Sequence, residues 1–107
     1  MDHPAPSAEE LRRLHATLDR LLRRMTRRLP GSPREMQMDA SAAIAMLYDL
    51  EVPNRGGLSA TLAGLLRELG QRRPDVLRHV VVLETSLAQI GELLPEPGEG
   101  AGGGPLP

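Results

Sequence analysis

The chain has no cysteine, lysine, phenylalanine or tryptophan, and Tyr48 is its only aromatic residue. Each absence narrows the chemistry. Without thiols there is no disulfide, no thiolate metal site and no cysteine nucleophile, and the redox compartment stays unmarked. Without rings there is little for nucleic-acid bases to stack on. The core must then be assembled from leucine, valine, isoleucine, methionine and alanine, which favours helical packing. No apolar run approaches the roughly eighteen residues of a membrane span. The opening MDHPAPSAEE has neither the basic nor the apolar stretch of a secretory signal, so a cytoplasmic protein is expected. Because every basic residue is arginine, amid much alanine, glycine and proline, the composition points to a GC-rich bacterial genome.

The 107 residues allow one domain at most, with a core small enough that a partner or self-association would help it. A formal charge of −1 argues against a protein that coats nucleic acid by bulk electrostatics. The charge is unevenly spread, however. Residues 1–10 carry −3, residues 11–29 carry +6, and the remainder carries −4.

What is present is helical periodicity. Ser7 and Glu10 have the S-x-x-E form of a capping box, so a first helix should begin near Ala8. Its apolar positions, Leu11, Leu14, Leu18, Leu21, Leu22, Met25 and Leu29, fall on one stripe, with Pro30-Gly31 as the stop. Ser32-Pro33-Arg34-Glu35 restarts a helix, with serine as N-cap, proline at N1 and glutamate at N3. That helix should run to about Leu50 on Met36, Ala40, Ala43 and Leu47. The segment Val52–Gly57 reads as a break. A third helix, the shortest, carries Leu58, Leu62, Leu65, Leu66 and Leu69 and ends on Gly70 in the left-handed conformation. A fourth starts near Pro74 and repeats Val76, Val80, Leu83, Leu87, Ile90 and Leu94. The HVVVLE run could be argued as a strand, but the helical register continues through it. The expected fold is all-α, a four-helix up-down bundle over residues 7–94, because short connections make successive helices antiparallel neighbours. Residues 1–6 should be a flexible N-terminus and the Gly/Pro-rich residues 95–107 a disordered tail, serving as a spacer or docking peptide.

The fourth helix is apolar around more of its circumference than a monomer needs to bury. Leu77, Val81 and Ala88 flank its stripe on one side, Val82 and Leu93 on the other. Leu77, Val81, Val82 and Leu93 are therefore the expected self-association residues of a homodimer, the commonest closed oligomer. The competing reading is a monomer in which this helix is central.

The first helix raises the question of a binding surface. Its arginines lie opposite the leucines, and Arg13, Arg20, Arg23, Arg24 and Arg27 are the expected partner-binding residues. Arginine suits phosphates, carboxylates and planar stacking, so the face could meet an acidic protein partner, nucleic acid or an anionic membrane. An acidic protein ranks ahead of nucleic acid, and no membrane partner is expected because the stripe lacks Trp or Phe. The plainest alternative is a solvated face partly neutralised by acids on neighbouring helices.

Chemistry has no visible seat. His15 and Asp19 stand one turn apart, but a metal site would need further ligands, so no metal or cofactor is expected. Neither His15-Ala-Thr-Leu nor His79-Val-Val-Val carries the residues that usually follow a phosphotransfer histidine. The loop PNRGG lacks a phosphate-binding glycine pattern, and Asp49 and Glu51 do not converge. The expectation is a non-enzymatic interaction module: an adaptor, assembly or regulatory subunit. The alternatives are a nucleic-acid-associated regulator using the first helix and a histidine phosphotransfer bundle.

Overall fold

A computed structural model describes residues 8–94. The Ser7 cap, the N-terminal segment and the tail lie outside the described residues. Four α-helices are present: α1 (Ala8–Met25), α2 (Pro33–Leu47), α3 (Arg55–Leu69) and α4 (Val80–Leu93), the last preceded by a 3₁₀ turn over Val76–His79. No strand occurs among the described residues, and Val80–Val82 open a helix.

The apolar stripes form the core. Leu14, Leu18 and Leu21 of α1, Ala40, Ala43 and Leu47 of α2, Leu58, Leu62 and Leu65 of α3, and Leu83 and Ile90 of α4 are fully buried. Each leucine taken from water in this way contributes about 1.5–3 kcal/mol, and together these side chains hold four amphipathic helices in one bundle. α1 packs against α2 and α4, and α3 packs against the same two.

The start of α2 is the one local signal realised in full. Ser32 Oγ accepts from the Glu35 N–H at 3.2 Å, and Glu35 Oε1 accepts from the Ser32 N–H at 2.8 Å. Both satisfy amides that the first turn leaves unpaired.

Helix boundaries depart from the sequence reading for identifiable reasons. α1 stops at Met25, a turn before Leu29, because Arg27 adopts a left-handed backbone with φ 64°. The Arg28 N–H then reaches the Arg23 carbonyl at 2.8 Å and the Arg27 N–H the Arg24 carbonyl at 3.2 Å. This is a Schellman closure with arginine where glycine is the usual residue. α2 ends at Leu47, although Leu50 is still buried beyond it. α3 begins at Arg55, inside the expected break, so Gly56 and Gly57 are helical; the break ends at Asn54, whose φ of 55° turns the chain. Gly70 is not left-handed, with φ −82°. α4, at 14 residues, is shorter than α3, since its first turn tightens into the 3₁₀ segment. The connections are longer than expected, because helices that end early lengthen the turns between them.

The buried line of α4 is also displaced from the expected stripe. It passes through Leu83, Ser86 and Ile90, while Val76, Val80, Leu87 and Leu94 are only half-buried. α4 is turned so that Ser86 faces inward and the Gln89 Oε1 is buried.

Candidate functional site

The arginines of α1 are built on the side away from its leucines, as amphipathic periodicity requires, but most of them meet acids. Asp39 explains why. It lies on the inward side of α2, one turn beyond Glu35, with a side chain only 5% exposed. Its Oδ1 accepts from Arg20 Nε at 3.0 Å and faces Arg20 Nη2 at 2.9 Å, and its Oδ2 accepts from Arg24 Nη1 at 2.8 Å. Arg24 is 17% exposed and also approaches Glu35 at 3.6 Å. A charge removed from water needs such partners, and one carboxylate here answers two guanidiniums. Gly31 makes room for the arrangement, since a Cβ there would lie 2.6 Å from the Arg24 stem. Glu35 is drawn in from both sides: the Ser32 backbone N–H, and then the Arg24 guanidinium, hold its carboxyl below the usual range.

The five arginines singled out from sequence therefore do not form one free surface. Arg13 pairs with Glu9 at 3.8 Å and Arg23 with Asp19 at 3.0 Å. Arg20 and Arg24 are committed to Asp39. Arg27 is exposed but stands beyond the helix, which removes it, with Arg28, from the helical sector. The acid in question was detectable: Asp39 falls among Met36, Ala40 and Ala43 on an apolar stripe, where an unpaired carboxylate would be costly.

The apolar quartet is divided. Leu77 and Val81 are 62% and 70% exposed, and Ala88 is exposed with them. At 100° per residue Val81 and Ala88 share one outward face of α4, and Leu77 stands in the 3₁₀ turn just before it. Leu93 is also exposed, but it lies with half-buried Val82 on another side of α4. Met38 of α2 and Tyr48 at its C-cap are also exposed. Beside Tyr48, a cleft of about 330 Å³ is lined by Ile44, Leu47, Ser59 and Ala63, and Arg55 closes its rim by donating from Nη2 to the Tyr48 carbonyl at 2.8 Å.

The two described histidines point into different helix contacts. The Nε2 of His15 would lie 3.4 Å from a Cβ added at Gly91 of α4, and Cε1 of His79 would lie 3.2 Å from one at Gly64 of α3. The Nε2 of His79 is buried and unpartnered. Burial, followed by Arg78, lowers its pKa; Glu68 and Asp75 pull the other way without prevailing. Near it, Glu68 Oε2 accepts from the Asp75 N–H at 2.9 Å and Oε1 faces Arg78 at 3.7 Å. This buried acid, also missed from sequence, ties the end of α3 to the turn before α4. No group of three or more potential metal ligands gathers among the described residues, and no described helix is long and apolar enough to cross a membrane. No family model, curated protein or solved structure matches the chain.

Proposed function

We propose that this chain is a non-enzymatic helical protein–protein interaction module, an adaptor, assembly or regulatory subunit, working in the cytoplasm as a homodimer. In this reading the helices run alternately up and down, and copies pair through the outward face of α4. The observation that carries it is the exposure of Val81, with Ala88 on the same face of α4, and of Leu77 in the turn before it. Large apolar side chains side by side on a rigid helix lose free energy in water and gain it when covered. A two-fold axis across α4 covers the same face twice with one set of residues.

The nucleic-acid alternative loses support from the pairing of Arg20, Arg23 and Arg24 with acids, since paired guanidiniums are poorly placed to meet phosphates. The test is sedimentation velocity on the wild-type chain and on Leu77→Asp and Val81→Asp variants. A wild-type dimer that becomes monomeric in both variants, with unchanged helical circular dichroism, supports the proposal. A wild-type monomer, or a dimer indifferent to both substitutions, overturns it.

A further inference from the structure

The arginines that fail to make a face on α1 gather elsewhere. The turn after α1 and the segment before α4 meet at one end of the bundle, where Met25, Thr26 and Arg27 from the first and Pro74, Asp75, Val76 and Leu77 from the second line a cleft of about 400 Å³. Residues 23–35 and 67–78, which flank this cleft, hold nine of the thirteen arginines against only Glu35, Glu68 and Asp75. The local charge is +6 on a chain of net −1, which leaves −7 for everything else.

Three of the nine are paired, Arg23, Arg24 and Arg78. The other six, Arg27, Arg28, Arg34, Arg67, Arg72 and Arg73, are exposed, and none has an ion-pair partner among the described residues. Neutralising helix C-termini explains Arg67 in the last turn of α3. It does not explain Arg27, Arg28, Arg72 and Arg73, which lie beyond the helices, or Arg34, which sits in the first turn of α2 at the wrong end of its dipole. Like charges gathered in such excess over acids favour an external anion.

The surroundings say which kind. A bare phosphate chain has nothing to place against the apolar part of the cleft, Met25, Pro74, Val76 and exposed Leu77, and would meet the Asp75 carboxylate beside them. The chain's one phenolic ring, Tyr48, caps α2 and is not at this end for bases to stack on. A long polyanion would also run along a body whose other described residues carry four arginines against eight acids, whereas screening within about 10 Å confines the attraction for a short ligand to the basic end. We propose that this end docks an acidic segment of a partner protein. Its carboxylates meet Arg27, Arg28, Arg72 and Arg73, and an apolar side chain enters the cleft beside Leu77. The cleft shares Leu77 with the apolar surface invoked for self-association, but Arg27, Arg28, Arg72 and Arg73 lie outside the helices and off the outward face of α4 around Val81 and Ala88.

The test is fluorescence anisotropy of the full chain with a dye-labelled synthetic peptide of repeating Glu-Asp-Leu, alongside a leucine-free version, a short DNA duplex, and vesicles of phosphatidylcholine with phosphatidylserine. The peptide should bind saturably and weaken with salt. Replacing Arg27, Arg28, Arg72 and Arg73 together with glutamine should weaken it about tenfold, while Arg12→Gln with Arg13→Gln should leave it unchanged. The leucine-free peptide should bind less well. The proposal is overturned if no saturable binding occurs, if the four-glutamine variant with intact helical signal binds equally, or if DNA or vesicles bind more tightly than the peptide.

Discussion

Replacing Asp39 with asparagine removes one negative charge from a point where two guanidiniums converge, while nearly preserving shape. The side chain is 5% exposed, and Arg24 opposite it is 17% exposed, so neither charge is well solvated. Breaking a buried pair by deleting one partner costs about 3–5 kcal/mol, chiefly because the survivor stays desolvated. Two features lower the figure here. Arg20 is 47% exposed and can turn to water, and Glu35 remains 3.6 Å from Arg24. The expected loss for Asp39→Asn is therefore about 2–3 kcal/mol, read from the midpoint of a urea melt. With a slope near 1 kcal/mol per molar, that is a shift of roughly 2 M or more. Arg13→Gln, which breaks only the exposed pair with Glu9, should cost less than about 0.5 kcal/mol. Combining Asp39→Leu with Arg24→Met should recover much of the loss, because no lone charge is then left buried. An Asp39→Asn midpoint within error of the Arg13→Gln midpoint would refute the reasoning.

Four further outcomes follow from the same geometry. Arg27→Gly should stabilise the fold by about 0.5–1 kcal/mol in thermal melts, since glycine adopts the φ of 64° without the strain that arginine bears. Gly91→Ala should stabilise α4 by up to about 1 kcal/mol, because the new Cβ meets His15 only at an ordinary 3.4 Å. Gly31→Ala should destabilise instead, since its Cβ would meet the Arg24 stem at 2.6 Å and displace the guanidinium from Asp39. Finally, His79 has a pKa lowered in the folded state, so the unfolded chain takes up a proton first as pH falls below about 6.5. Stability should be full above that value and decline below it until the folded state also protonates; His79→Gln should flatten this part of a pH series of urea melts.

The helices and their buried leucines were legible because their cause is local. Periodicity acts over one turn of chain, and the Ser32–Glu35 box spans only three residues, so residue types alone determine them. The same locality explains why helix 4 was recognisable despite its valines: the register of Leu83, Leu87 and Ile90 outweighed β propensity. What escaped was everything that depends on which helix faces which. The Arg20–Asp39 and Arg24–Asp39 bonds join residues separated by 19 and 15 positions, and no spacing rule connects them. The end of α1 was decided by a left-handed arginine that lets the chain turn back toward α2. The basic end of the bundle exists only because two turns, far apart in sequence, pack side by side. Sequence by itself determined four amphipathic helices with an arginine-rich first member. Only the tertiary structure decided which arginines would be neutralised and which left facing water, because charge pairing depends on distances that chain order does not specify.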